Sequence, residues 1–406
     1  MKLKFYLAIC ILSFYSCKVS KTPSNIDYNK KAQELAHKFI ITDGHVDLPY
    51  RLKIKHFQMQ KEYLGIPIKS ENGDFDFERS KKGGLDAPFM SIYIPSIYET
   101  PQAQLLADSL ITMVKYIAKE KSDYFEMANS PNEVQQIFKK GKIALPMGME
   151  NGSPIGKLAD VKKYKEKGIS YITLTHAKDN KICDSSYDTT RTWKGLSPYG
   201  REVVLEMAKV GIMIDISHVS DSTFYQVTRL SPVPVIASHS SARFFTPGFE
   251  RNMSDDMIKV LGKNNGVIMI NFGSTFLDGE VAKIRASSQK ELRHLIAAKG
   301  LKPTDHAAEE LADNFFKNNP KAFSDTQKVA DHIDRVVKLA GINHVGIGSD
   351  FDGVGDSLPT GLKDVADYPN LIAELLKRGY SDSDIEKICS GNLFRVWNSV
   401  IIFATK

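Results

Sequence analysis

Short apolar runs alternate with amphipathic stretches along most of the chain. The runs with strand character cover residues 39–47, 87–94, 143–150, 170–176, 212–218, 233–240, 266–272 and 345–351. Most are continuously apolar rather than alternating, as parallel strands covered on both faces are. Helical patterns lie between them, over residues 102–119, 201–210, 254–262 and 326–339. The second of these has Pro198 and Gly200 before it and Gly211 after it, residues that start and stop helices. Eight strands alternating with helices predict an α/β fold, a (β/α)8 TIM-like barrel. Two excursions break the alternation. Residues 51–84 follow the first strand and are expected to hold a small hairpin or loop. Residues 274–325 follow the seventh; they are charged, helix-prone and interrupted by Pro303 and Pro320. At the rim of a barrel, this second insertion is expected to act as a lid or an oligomer contact. Neither excursion needs to be a separate domain, so residues 38–400 are expected to form one (β/α)8 domain.

In such a barrel the C-terminal strand ends converge on one mouth. Here those ends carry His45 and Asp47, Glu150, His176, His218, His239 and Asp350. The chain has ten histidines, and four of them fall in this set. Any one alone reads best as a hydrogen-bonded structural residue; the coincidence of the set points to chemistry. His45 and Asp47 are two apart, so on a strand they share a face. An imidazole beside a carboxylate suits a divalent metal of the zinc type. His218 and His239 end consecutive strands and can point into the same mouth. With Glu150 between the two pairs, the set reads as a two-metal site, in which a bridging carboxylate holds ions roughly 3.5–4 Å apart and lets them share a hydroxide. Glu150 is followed by Asn151 and Gly152, so service in a turn is its alternative.

The same residues lie in longer motifs. They run Asp43-Gly44-His45-Val46-Asp47-Leu48-Pro49, Gly148-Met149-Glu150, Leu174-Thr175-His176 and Gly195-Leu196-Ser197-Pro198-Tyr199-Gly200. They continue through Asp215-Ile216-Ser217-His218-Val219-Ser220, Ser238-His239-Ser240-Ser241-Ala242-Arg243, Arg251-Asn252 and Gly348-Ser349-Asp350-Phe351-Asp352-Gly353. In this order, from about residue 38 to Asn392-Leu393, the chain resembles the membrane (renal) dipeptidase family of zinc dipeptidases, metallo-dependent hydrolases. The resemblance implies two zinc ions per chain, one on His45 and Asp47 and one on His218 and His239, bridged by Glu150. It implies that His176 is a substrate-site imidazole that stabilises the oxyanion, and that Arg251 binds the substrate's terminal carboxylate. A guanidinium fork suits that task, although a surface cation at the helix starting near Ser254 is the alternative. Asp350 would carry a proton from the bridging water to the leaving amine, and Asp352 would be structural. The implied activity is hydrolysis of small dipeptides, with tolerance of a D-residue at the C-terminal position.

Two departures from the family stand out. The cysteines of the disulfides in animal members are not found, and Phe276 stands where mammalian enzymes carry a substrate-facing Tyr. The insertion at 274–325 is also longer than theirs. Two other functions are weighed beside the dipeptidase. One is a different metal-dependent amidohydrolase acting on a cyclic amide or ester, with Lys178 as a carboxylated bridge. The other is a non-catalytic, lipid-anchored binding protein.

Composition narrows partners and compartment. Of 406 residues, 54 are Lys or Arg and 48 Asp or Glu, a formal charge of +6 with no long basic run; nucleic acid is therefore not an expected partner. The N-terminus pairs Lys2 and Lys4 with an apolar run over 5–12, too short to span a bilayer, and then Ser16-Cys17. This resembles a bacterial lipoprotein signal over residues 1–17, followed by a polar tether and an N-terminal helix over 18–37. The protein is accordingly expected to be exported and held on a bacterial membrane, at its periplasmic or cell-surface face, only by lipid on Cys17. The remaining partners are a dipeptide substrate and, by family habit, a second copy in a homodimer. Four cysteines make no disulfide framework, and neither Cys183 nor Cys389 lies in a CxxC, so both are expected to be inert thiols.

Overall fold

In the computed structural model, which describes residues 27–54 and 68–406, the eight apolar runs form nine of ten strands, and Phe125–Met127 is a tenth outside them. They are Ile41–Val46 (β1), Leu85–Tyr93 (β2), Phe125–Met127 (β3), Ile143–Leu145 (β4), Met147–Glu150 (β5), Ile169–Thr173 (β6), Met213–Asp215 (β7), Ile236–Ser240 (β8), Val267–Ile270 (β9) and Val345–Ile347 (β10). Eight make one parallel sheet in the order β1-β2-β5-β6-β7-β8-β9-β10. Its edges meet where Val46 bridges Phe351, with the Asp47 amide donating to Phe351 O at 2.9 Å and the Asp350 amide to His45 O at 3.1 Å. The sheet thus closes as the (β/α)8 barrel that the alternation predicts.

The third predicted strand is divided at Pro146. Residues 143–145 pair with β3 in a side sheet, and 147–150 join the barrel. Proline has no N–H to continue a ladder, but its carbonyl still takes the Met90 amide at 2.8 Å. Except for β2, the barrel strands are also shorter than their apolar runs. At β7 the reason is local: Asp215 Oδ1 accepts the amides of Ser217 (3.0 Å) and Ser238 (2.8 Å), so a side chain replaces the ladder partner. His176, His218 and Asp350 consequently sit three residues past their strands, on loops at the C-terminal mouth.

The helices around the barrel follow their caps and faces. Ser197 caps Pro198–Val210, Pro198 begins it, and Gly211 ends it at φ +81°. Ser254 caps Asp255–Lys263. Thr326–Ala340 buries Val329, Ile333 and Val336 on one stripe, each contributing about 1.5–3 kcal/mol. Inside the barrel, space is the constraint. A Cβ on Gly148 would lie 1.9 Å from the Tyr171 ring, and one on Gly348 would lie 2.0 Å from Ser238 O; only glycine lets these strands approach.

Among the described residues the first excursion holds no hairpin; the helix Leu48–Ile54 runs into it, and an irregular loop over 68–76 leads to the helix Phe77–Gly83. The insertion after β9 is helical, with Ser274–Leu277, Gly279–Ala298 and His306–Asn318. The leader, with Cys10 and Cys17, and the tether as far as residue 26 lie outside the described residues. The N-terminal helix is Tyr28–Lys38. No helix among the described residues is long and apolar enough to cross a membrane. Cys183 and Cys389 are buried and unbonded.

Candidate active site

Glu150 lies at the centre of the mouth with one carboxylate oxygen toward each half of the predicted ligand set. Its Oε2 is 3.3 Å from His45 Nε2. Its Oε1 is 3.0 Å from His218 Nε2, 3.2 Å from His239 Nε2 and 3.7 Å from His176 Nε2. Asp47 Oδ2 is 3.5 Å from His45 Nε2. Three overlapping groups could each hold an ion: His45 with Glu150 and His239, Glu150 with His176 and His218, and His45 with Asp47 and Asp350. His239 does not belong to one half alone. Its ring stacks on that of His45 at 3.8 Å, and its Nε2 is 2.8 Å from that of His218.

Two histidines have their donor nitrogen assigned by a single-proton argument. The Tyr171 hydroxyl donates to Gly44 O at 2.9 Å, so it accepts from His45 Nδ1, also at 2.9 Å. The Ser238 hydroxyl donates to Asp215 Oδ2 at 2.6 Å, so it accepts from His239 Nδ1 at 2.8 Å. In each ring the proton sits on Nδ1, and Nε2 faces the cluster. This is how a ligand histidine is oriented by its outer partner. Thr173 Oγ1 also donates to Asp215 Oδ2, at 2.5 Å, pinning the carboxylate.

The buried polar atoms fit a divalent metal. His45 Nε2, which faces Glu150, and Asp47 Oδ1 beside it have no hydrogen-bond partner, although buried groups normally do. Burial, aided by the Arg251 charge, lowers the His218 pKa well below its usual value; burial with His45 and Arg251 does the same for His239, so both are neutral, ligand-ready imidazoles. Burial works against ionisation of Glu150, but the surrounding imidazoles outweigh it and hold the carboxyl well below its usual pKa. Burial also opposes charge on His45, yet Tyr171, Glu150 and Asp47 raise its pKa well above the usual value. The carboxylates of Glu150 and Asp47, both beside its Nε2, favour a cation there.

A cavity of about 620 Å³ opens over the cluster, walled by Tyr93, His176, Tyr187, Phe276 and Asp350 among others. Burial pushes His176 toward its neutral form. Asp350 is in the left-handed region at φ +64°, as His218 is at +69°. Non-glycine residues held there are uncommon and gather at functional sites. Asn271 donates to Asp350 Oδ2 at 2.7 Å, and burial, with Asp47 and Glu150 adding to it, pushes the carboxyl up to about 8. Gly353 packs against this pair: a Cβ there would lie 2.2 Å from both Asp350 Oδ1 and Asp47 Oδ2.

Arg251 is not a surface helix cap. It is 3% exposed, donates to Ser240 Oγ and His239 O at 2.6 Å each, and reaches within 3.1 Å of His218 Nε2. Phe276 lies against it, 5.5 Å from guanidinium carbon to ring centre. Lys178 is exposed, whereas Glu150 occupies the place between the imidazoles. Asp352 is structural as expected, with Arg51 Nε at 2.8 Å and the Asp74 amide at 2.8 Å. Tyr171, Asn271 and Tyr187 had no warning in sequence, since their roles depend on tertiary partners. For Asp215 the Asp-Ile-Ser-His spacing offered a signal.

Known proteins resemble this chain over most of its length. The sequence profile described as membrane dipeptidase (peptidase family M19) matches residues 29–406. Dipeptidase verJ of Clonostachys rogersoniana is 33% identical over 94% of this chain and 89% of its own. Dipeptidase tcpJ of Claviceps purpurea (strain 20.1) is 31% identical over 88% of this chain and 76% of its own. The crystal structure of the probable dipeptidase PvdM of Pseudomonas aeruginosa superposes with a TM-score of 0.77 at 26% identity, covering 93% of this chain and 99% of the other. A Rhodobacter sphaeroides metallopeptidase, solved with a phosphinate mimic of L-Ala-D-Ala, shares the fold at a TM-score of 0.73 and 22% identity, over 89% and 99% of the two chains.

Proposed function

The chain belongs to the membrane dipeptidase family, peptidase family M19, and is a dipeptidase of that metallopeptidase family; from this premise we propose that it is a binuclear zinc enzyme, with His45, Asp47, Glu150, His218 and His239 as ligands and Glu150 shared between the ions. The observation that carries this reading is the division of Glu150, with Oε2 toward His45 and Oε1 toward His218 and His239. Ions held there would supply Lewis acidity and a water of lowered pKa.

The protein's own groups do the rest. His176, kept neutral by burial, offers an N–H to the carbonyl oxygen as charge develops on it. Asp350 uses Oδ1, the oxygen not bonded to Asn271, to take a proton from the attacking water and return it to the leaving amine. A carboxyl raised toward neutrality is suited to both transfers. Arg251, with its Nε unpaired, holds the terminal carboxylate. Tyr187 brings a phenol to a wall where Phe276 has none. The proposal extends to second residues of D configuration, on the family resemblance, and to export with lipid on Cys17, on the leader.

The test is hydrolysis of X-Gly and X-D-Ala dipeptides by purified protein, before and after exhaustive chelation. Activity that a chelator abolishes and zinc restores is expected. Full activity without metal would refute the mechanism.

A further inference from the structure

The insertion helix Gly279–Ala298 brings a second guanidinium to the cavity. Arg285 and Gln289 are four residues apart on one helical face, and both line the wall. Arg285 is held by carbonyls: it donates to Ala322 O at 3.0 Å and Asp356 O at 2.6 Å, and it lies over the Phe323 ring at 5.2 Å. These contacts fix its position without neutralising it. The Asp356 carboxylate is taken by Lys321 at 2.5 Å, and Lys363 lies over the same Phe323 ring at 3.7 Å. Among the described residues no carboxylate is within ion-pair distance of Arg285. A positioned guanidinium with spare N–H donors and no counter-charge is a carboxylate receptor.

Its place in the cavity indicates which carboxylate. Val354 and Ser357 line the cavity from the loop that carries Asp350, Asp356 of that loop accepts from Arg285, and Phe276, from the start of the same insertion, lies against Arg251. On the dipeptidase reading, Asp350 serves the leaving amine and Arg251 the terminal carboxylate, both parts of the second residue. The geometry points to a subsite in which Arg285 and Gln289 receive an acidic side chain on that second residue. The favoured substrates are then X-Glu and X-Asp dipeptides rather than their amides. The inference rests on the dipeptidase reading and adds the substrate class.

The experiment compares kcat/KM for Ala-Glu and Ala-Gln, in both configurations of the second residue, on metal-replete protein. Wild type should favour Glu over Gln by about tenfold, the value of one charged hydrogen bond, and the ratio should fall as salt screens it. Arg285→Gln should bring the ratio close to one, and Arg285→Lys should keep part of it. Gln289→Glu, which adds a like charge to the subsite and leaves the Arg285 anchors intact, should lower the ratio even if Arg285→Gln does not fold. A wild-type ratio at or below one overturns the proposal. So does an equal loss on both dipeptides in Arg285→Gln, which would give Arg285 to the main-chain carboxylate instead. Failure to cleave these and also Ala-Gly would refute the dipeptidase reading itself, a result distinct from cleavage without preference.

Discussion

Tyr171→Phe is the sharpest probe of how the site is held. The ring is fully buried beside Gly148, and the substitution keeps that packing while deleting one oxygen. Two buried groups then lose a partner, His45 Nδ1–H and Gly44 O. At about 1–3 kcal/mol for a buried unsatisfied group, less what local relaxation recovers, the metal-free protein should lose roughly 2–4 kcal/mol of stability. His45 also loses the contact that assigns its proton and fixes its ring, so metal affinity should fall by about 10- to 100-fold. Stability measured by urea unfolding and affinity measured by competition with a chromogenic chelator separate the two effects. Because an ion that binds the folded state adds stability in proportion to the logarithm of its affinity, the stabilisation on adding zinc should shrink in the variant. Unchanged zinc affinity, with turnover intact, would refute the claim that Tyr171 orients a ligand.

Asp350→Asn should lower kcat by about 100-fold or more with normal metal content; loss of metal instead would reassign Asp350 as a ligand. Gly353→Ala, which pushes a methyl against both Asp350 and Asp47, should cost roughly 100-fold in kcat/KM by displacing them, and wild-type kinetics would show that the loop gives way freely. His332 accepts the Ala242 amide at Nδ1 and donates to Leu277 O at Nε2, and burial pushes its pKa down to about 4. Protonation therefore favours the unfolded chain, whose histidine titrates near 6.5. This stability is complete above that pH and is lost as pH falls toward 4, about 3 kcal/mol in all. Urea unfolding at pH 7 and pH 4.5 should show that loss in wild type and a smaller one in His332→Asn; equal losses would contradict it. Fatty-acid labelling of the expressed protein should be abolished by Cys17→Ser, and labelling that persists would remove Cys17 as the lipid site.

The barrel was legible because parallel strands buried on both faces leave continuous apolar runs, and the ligand candidates because they end those runs. Sequence could not show where pairing stops. At 143–150 one apolar run serves two sheets, since Pro146 breaks the ladder inside it. At 213–218 the Asp215 side chain takes two amides that a strand partner would otherwise take. The supporting groups were hidden for a related reason. Tyr171 looks like any apolar strand residue, and only its contact with His45, 126 positions away, gives it a task. Arg285 sits in a charged helical insertion where one cation resembles its neighbours until the fold turns it toward the mouth.

The central claim is a pair of ions sharing Glu150. Anomalous diffraction from metal-replete crystals at the zinc absorption edge tests it most directly. Two peaks are predicted, one on the Oε2 side of Glu150 near His45 and Asp47, and one on the Oε1 side near His218 and His239. A single peak, or two that do not flank Glu150, would contradict it.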